Sequence, residues 1–276
     1  MRLQRILAAA GISARRGAEA LIRAGRVRVN GRPAKLGDRA DPWRDEVTLD
    51  GEPLRPQRTV TWMLHKPRGV LSSVRDPEGR PTVLALVPEH AARVFPVGRL
   101  DRDSEGLLLL TNDGLLAHAL LHPSHEVERE YEVVVRGALD AEKRARLARG
   151  VRLEDGWTAP ARVARAQHDP RSDTTRFHLI LHEGRKRQIR RAMLALGHPV
   201  RELRRVRFGP VRLGGLARGA ARRLDASERR ALEELAERVL LRAGDAQRAR
   251  SSGAKPGRRK RKPRGARGSR RDAPSA

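Results

Sequence analysis

The chain has 276 residues, with 60 Lys+Arg against 33 Asp+Glu and a net charge of +27. It has no cysteine, which excludes disulfides and thiolate metal sites and suits a reducing compartment. No apolar run approaches the ~20 residues of a membrane span, and Gln4 and Arg5 interrupt the one signal-like start, so a soluble, cytoplasmic protein without membrane contact is expected.

A positive charge of this size calls for a polyanionic partner, with nucleic acid first among them. Residues 251–276 hold ten Lys/Arg and one Asp, which leaves +18 on the remainder, so the body of the chain is itself basic.

In chain order, Leu3, Ile6, Leu7 and Ala10 recur at helical spacing and Gly11 stops the helix. A second helix is expected from about Ala14 to Ala24, with Ala18, Leu21 and Ile22 inward, Arg15 and Arg16 at its start, and Gly25 at its end. Val27 and Val29 then alternate with arginines, and Asn30-Gly31 and Asp50-Gly51 are two-residue hairpin signals. Residues 55–62 (RPQRTVTW) read as a linker.

Beyond the linker come Trp62, Leu64 and a Lys66-Pro67-Arg68-Gly69 turn, then a polar loop from Asp76 to Pro81 and a short helix or buried turn from Val83 to Val87. Val94 to Val97 is an expected strand. It leads into GRLDRDSEGLLLLTNDG, residues 98–114, where Leu107 to Leu110 form a short apolar run of the kind a fully buried strand uses. The acids Asp101 and Asp103 then sit at the rim of a core, where a carboxylate is held rigidly. LLAHALLHP follows as a helix, VEREYEVVV as a strand, and Asp140 caps a basic helix that closes at Gly150. Thr175 to His182 is a strand leading to the helix RKRQIRRAMLALG, residues 206–216 form another strand, and Ser227 caps an amphipathic helix. From Gly244 on, the composition lacks the apolar residues that ordering requires.

Several chemistries lack their motifs. There is no GxxxxGK[ST] loop, no GxGxxG after a strand and no GxSxG elbow. His118, His122 and His125 cluster, but without supporting Cys, Asp or Glu at ligand spacing they read as structural or phosphate-facing, and no metal or cofactor is expected.

Two resemblances stand on these residues. The string RLQRILAAAGISARRGAEALIRAGRVRVNGRPA resembles the αL (S4-like) RNA-binding domain, which implies that Arg15 and Arg16 meet RNA phosphates. Here Ser13-Ala14 stands where that family has Ala-Ser. HKPRGVLSSVRDPEGRPTV, VFPVGRLDRDSEGLLLLTNDG, HPSHEVEREYEVVVRG and HEGRKRQIRRAMLALGHPVRELRRVRFGPV occur in the order found in ribosomal RNA pseudouridine synthases of the RsuA/RluB type. That resemblance covers about residues 60–240. It implies that Asp101 is the catalytic aspartate, that Tyr131 packs on the target base, and that Arg190 pairs with the catalytic carboxylate. Departures are His65, Ser104, Arg129 and Ala192, where the family has Asn, Thr, Lys and Met.

The residues agree with that chemistry. Moving the ribose from N1 to C5 of uracil needs one ionised carboxylate near C1′ and no cofactor. Attack on C1′ and abstraction of a ribose proton are both compatible with it. A paired arginine keeps a partly desolvated aspartate charged, and an aromatic surface offsets the few kcal/mol of unstacking the target base.

The resulting expectation is an α+β protein. Residues 1–58 form the S4-like RNA-binding domain, 59–243 a mixed, largely antiparallel-sheet catalytic domain, and 244–276 a disordered basic tail. Lys66, Arg99, Arg185 and Lys186 are candidate phosphate contacts. The expected substrate is a structured stem-loop of ribosomal RNA, large-subunit before small-subunit, bound by a monomer. A non-catalytic ribosome-assembly factor and a general nucleic-acid binder are the alternatives.

Overall fold

The computed structural model describes residues 1–13, 15–41, 44–55, 57–88 and 93–251. In the first part, α1 (Leu3–Ala9) and α2 (Arg15–Arg23) pack on a four-stranded sheet of β1 (Val27–Val29), β2 (Arg32–Pro33), β3 (Val47–Leu49) and β4 (Glu52–Pro53), in the order β2-β1-β3-β4. Leu3, Leu7, Ala18, Ile22, Val27 and Val47 form its separate core. Both hairpins turn where expected, because Asn30-Gly31 and Asp50-Gly51 all adopt positive φ, the geometry that matches the strand twist.

The second part is built on one large mixed sheet. Its strands are β5 (Thr61–Lys66), β6 (Phe95–Pro96), β7 (Glu105–Thr111), β8 (Arg129–Arg136), β11 (Arg162–Asp169), β12 (Thr174–Leu181), β13 (Val200–Phe208), β14 (Val211–Arg212) and β15 (Ala221–Arg223); β9 (Arg152–Leu153) and β10 (Gly156–Trp157) form a separate two-stranded hairpin. The order is β11-β12-β8-β13-β7-β5-β15, with β14 on β13 and β6 on β7. Among the described strands every pair is antiparallel except β7 with β13.

β7 is buried along its whole length. Leu107 and Leu109 join one core with α3 (Gly114–Leu121) and α6 (Ala226–Ser251). Leu108 and Leu110 join the other with α4 (Ala141–Arg149) and α5 (Gln188–Ala195). A run of four leucines is what a strand covered on both faces requires. Gly106 has φ +110°, and a Cβ there would lie 2.3 Å from the Arg205 carbonyl oxygen, so glycine alone lets β13 run alongside β7.

Three local expectations are corrected. Asp225, not Ser227, caps α6: its carboxylate accepts the Glu228 amide at 2.8 Å while Glu228 accepts the Asp225 amide at 3.0 Å, a reciprocal capping box set earlier in the chain. The strand expected at 206–216 is instead β13, beginning at Val200, with a short return in β14. The last helix continues through Gly244 to Ser251, because the Ala, Gln and Arg that follow are good helix formers. Residues 252–276 lie outside the described residues.

Candidate active site

Asp101 lies on the loop that enters β7, and the main chain of that loop is fixed from beneath. The Lys66 ammonium, at the end of β5 and fully buried, donates to the carbonyls of Pro67 at 2.9 Å, Asp101 at 3.1 Å and Ser104 at 2.8 Å. Burial pulls Lys66 down from 10.5 to about 8, against the opposing charges of Asp101, Asp103 and Glu105. Gly69 donates to the Arg102 carbonyl at 2.7 Å, and Ser72 Oγ both donates to the Leu100 carbonyl and accepts from its amide. Gly98 turns with φ +75° against Leu121 of α3. The loop is therefore a rigid mount, and the Asp101 side chain on it remains 34% exposed.

Arginines of the α5 entry face this loop. Arg187 Nη1 is 3.9 Å from Asp101 Oδ2, and its guanidinium grips Asp103 through two bonds of 3.2 and 3.0 Å. Arg187 itself has φ +49°, a left-handed conformation that costs a non-glycine residue on the order of 1 kcal/mol and that often marks a functional constraint. Arg190 does not pair with Asp101 as expected. Its Nε lies 3.2 Å from Asp103 Oδ2, and its Nη2 donates to the Asp103 carbonyl at 3.0 Å and Ser104 Oγ at 3.3 Å. Arg187, the residue before α5, reaches both carboxylates, whereas Arg190, in the first turn, donates to Asp103 and Ser104. Asp103 is the acid both arginines share. Burial raises its carboxyl, but the Arg187 bonds and the Arg190 charge outweigh that and hold it below the ordinary range.

Tyr131 is buried on β8, opposite Leu179 of β12 and Arg205 of β13. It belongs to the same apolar cluster as Leu100, the residue before Asp101, and Ile189, the residue before Arg190. One core thus carries the neighbours of all three expected site residues.

Two expected phosphate contacts are corrected. Lys66 has no exposed surface and serves the loop's backbone. Arg185 pairs with Asp155 at 2.6 Å and donates to the carbonyls of Asp155, Gly156 and Trp157, so its donors are committed to the β9–β10 hairpin. Arg99 and Lys186 are exposed and have no ion-pair partner among the described residues. Arg16 is exposed on α2; the side chain of Arg15 lies outside the described residues. Arg68 and Arg218 were missed by the sequence reading. Both are anchored by the buried Glu105 carboxylate, at 3.7 and 3.4 Å. Glu105 is 113 residues from Arg218, and no local pattern announces such a pair.

The histidine rings of 118, 122 and 125 cluster with centroids 5.0 to 6.0 Å apart. His122 Nδ1 is bonded to Ser124 Oγ and His125 Nδ1 to the Ala119 carbonyl.

A profile described as RNA pseudouridylate synthase matches residues 60–195, and one for the S4 domain matches residues 1–42. Ribosomal large subunit pseudouridine synthase B of Bacillus subtilis (strain 168) is 41% identical over 237 residues, which is 86% of this chain and 97% of that protein. The protein of the same name from Yersinia pestis is 44% identical over 245 residues, 86% of this chain and 76% of that one. Among solved structures, a pseudouridylate synthase crystal structure aligns with TM-score 0.61 and 31% identity, over 84% of this chain and 99% of the other.

Proposed function

The chain belongs to the RNA pseudouridylate synthase family, and from that premise we propose that it isomerises a uridine of large-subunit ribosomal RNA, with Asp101 as the catalytic carboxylate. The observation that carries this reading is the mounting of Asp101: a part-exposed carboxylate beside the Arg187 guanidinium, on a backbone clamped by a buried ammonium. Such preorganisation is what a carboxylate acting at the ribose requires, because no reorganisation is left for the moment of reaction.

The uridine leaves its stack and enters beside Tyr131, whose ring offers a face to the base. The Asp101 carboxylate acts at the ribose while the N1–C1′ bond breaks. The uracil then turns, the C5–C1′ bond forms, the C5 proton departs and N1 is protonated. Arg187 stabilises the Asp101 charge, and Arg190 positions the loop through Asp103. Reactants and product have the same atoms, so this chain's residues need only bind, orient and move protons.

In this reading residues 1–58 grip the RNA and residues 59–243 carry the chemistry. The exposed Arg16, Arg99 and Lys186 meet phosphates of a structured stem-loop. The protein works as a cytoplasmic monomer. Large-subunit RNA from a strain lacking the gene is mapped by carbodiimide-dependent stops, with wild type or Asp101→Asn supplied in trans. One stop is expected to vanish on deletion, to return with wild type and to stay absent with Asp101→Asn. An unchanged map, or rescue by Asp101→Asn, overturns the reading.

A further inference from the structure

Aromatic side chains are scarce: the chain has three Trp, one Tyr and three Phe. Trp62, Tyr131, Phe177 and Phe208 are buried, Phe95 is half-buried, and Trp157 is 67% exposed. A single exposed apolar residue is ordinary on a protein surface. The mount beneath this one is not. Trp157 ends β10 of the hairpin that stands apart from the main sheet, and a two-stranded hairpin is barely stable by itself.

Arg185 and Arg191 supply what the hairpin lacks. Arg185 donates to the Trp157 carbonyl at 2.8 Å and to those of Gly156 and Asp155, and both arginines grip the Asp155 carboxylate, Arg191 at 2.8 and 3.1 Å. Those bonds hold the Asp155 carboxyl down at about 2. The next residue, Thr158, is buried, and its Oγ1 accepts the Val151 amide at 2.9 Å. The ring is thus presented to solvent on a fixed backbone.

The mount also locates the ring. Arg185 is two residues from Arg187, which faces Asp101 and Asp103, and exposed Lys186 lies between them. Arg152, also exposed, is the ladder partner of Trp157. A rigid aromatic face flanked by unpaired cations is how proteins bind unstacked bases of single-stranded RNA.

We propose that Trp157 is a stacking platform for an unpaired nucleobase of the substrate RNA, distinct from the target uridine that Tyr131 receives. This rests on the isomerase reading only in taking ribosomal RNA as the ligand.

The test uses the full chain carrying Asp101→Asn, so that affinity is measured without turnover. Unmodified, in vitro transcribed large-subunit rRNA is titrated against Trp157, Trp157→Phe and Trp157→Ala forms at several salt concentrations. Trp157→Ala is expected to raise Kd by about 5- to 100-fold and Trp157→Phe by much less, with unchanged salt slopes. Lys186→Ala, removing a phosphate contact, should instead lower the slope by about one unit. RNA should quench a component of tryptophan emission that Trp157→Phe lacks, and equal thermal midpoints establish that the hairpin stays folded. Wild-type affinity in Trp157→Ala, or equal losses in the Ala and Phe forms, overturns the platform. If the RNA binds as described but wild type forms no pseudouridine, the isomerase reading falls and the platform stands.

Discussion

Lys66 carries the sharpest consequence of a single buried charge. Its folded pKa of about 8 lies below the ordinary 10.5, so between those values the unfolded chain binds more protons than the folded one. Stability therefore rises with pH across that window. The same deprotonation weakens the three bonds that hold the Asp101 loop. Single-turnover rates should fall with a midpoint near pH 8 while thermal stability climbs, a divergence that a simple alkaline denaturation would not produce. Lys66→Arg, which keeps its charge, should lose the alkaline fall; if the fall persists in it, Lys66 is not its source. At this scale the sequence was informative about kinds of residue and poor about partners. RKRQIRR announces guanidinium groups for an acid, yet the string does not show that Arg187 faces both Asp101 and Asp103 while Arg190 pairs with Asp103. Lys66 beside a Pro-Arg-Gly turn looks like a surface cation until β5 is known to end under the Asp101 loop.

At the scale of elements, β8 shows how alternation divides labour. Arg129, Tyr131 and Val133 are buried, while Glu130 and Glu132, with Glu128 just before the strand, form a ladder of ion pairs with Arg207, Arg204 and Arg176, and His178 Nδ1 is hydrogen-bonded to Glu130. The Arg207 bond lowers Glu128. Burial raises Glu130 and Glu132, but Arg207 with His178, and Arg204 with Arg176, outweigh it. A carboxylate lowered on folding stabilises above its unfolded value, near 4.5 here, and that contribution is lost as pH falls. Thermal melts should show the midpoint dropping below pH 4.5, and Glu130→Gln should make that drop shallower; an unaltered profile would count against the ladder. The strands with clear alternation or continuous apolar runs were legible in advance. β11 was not, because it is a half-exposed strand with Arg165 at φ +53° where its register shifts. Nor was β15, three residues that are a strand only because β5 offers them an edge.

For the whole molecule, charge is the governing quantity, and it was open to view from the start. A body at +18 and a segment of +9 attract any polyanion at long range, so part of RNA affinity is independent of the site. Deleting residues 252–276 should weaken rRNA binding at moderate salt and reduce the salt slope, while the modified uridine stays the same; a shifted position in the carbodiimide map would show that the segment chooses the target. The α+β class, the S4-like start and the mixed sheet could all be anticipated from ordered motifs. The parallel pairing at the centre of that sheet could not, since nothing local joins Gly106 to Arg205.

That pairing also sets a timetable for synthesis. Residues 3–54 contain a complete core of their own, whereas β7 gains its parallel neighbour only when Arg205 has been made, about 150 residues later. At ordinary translation speeds that interval is roughly 8–30 s. The growing chain therefore owns a finished N-terminal fold well before the Asp101 loop has a sheet to stand on.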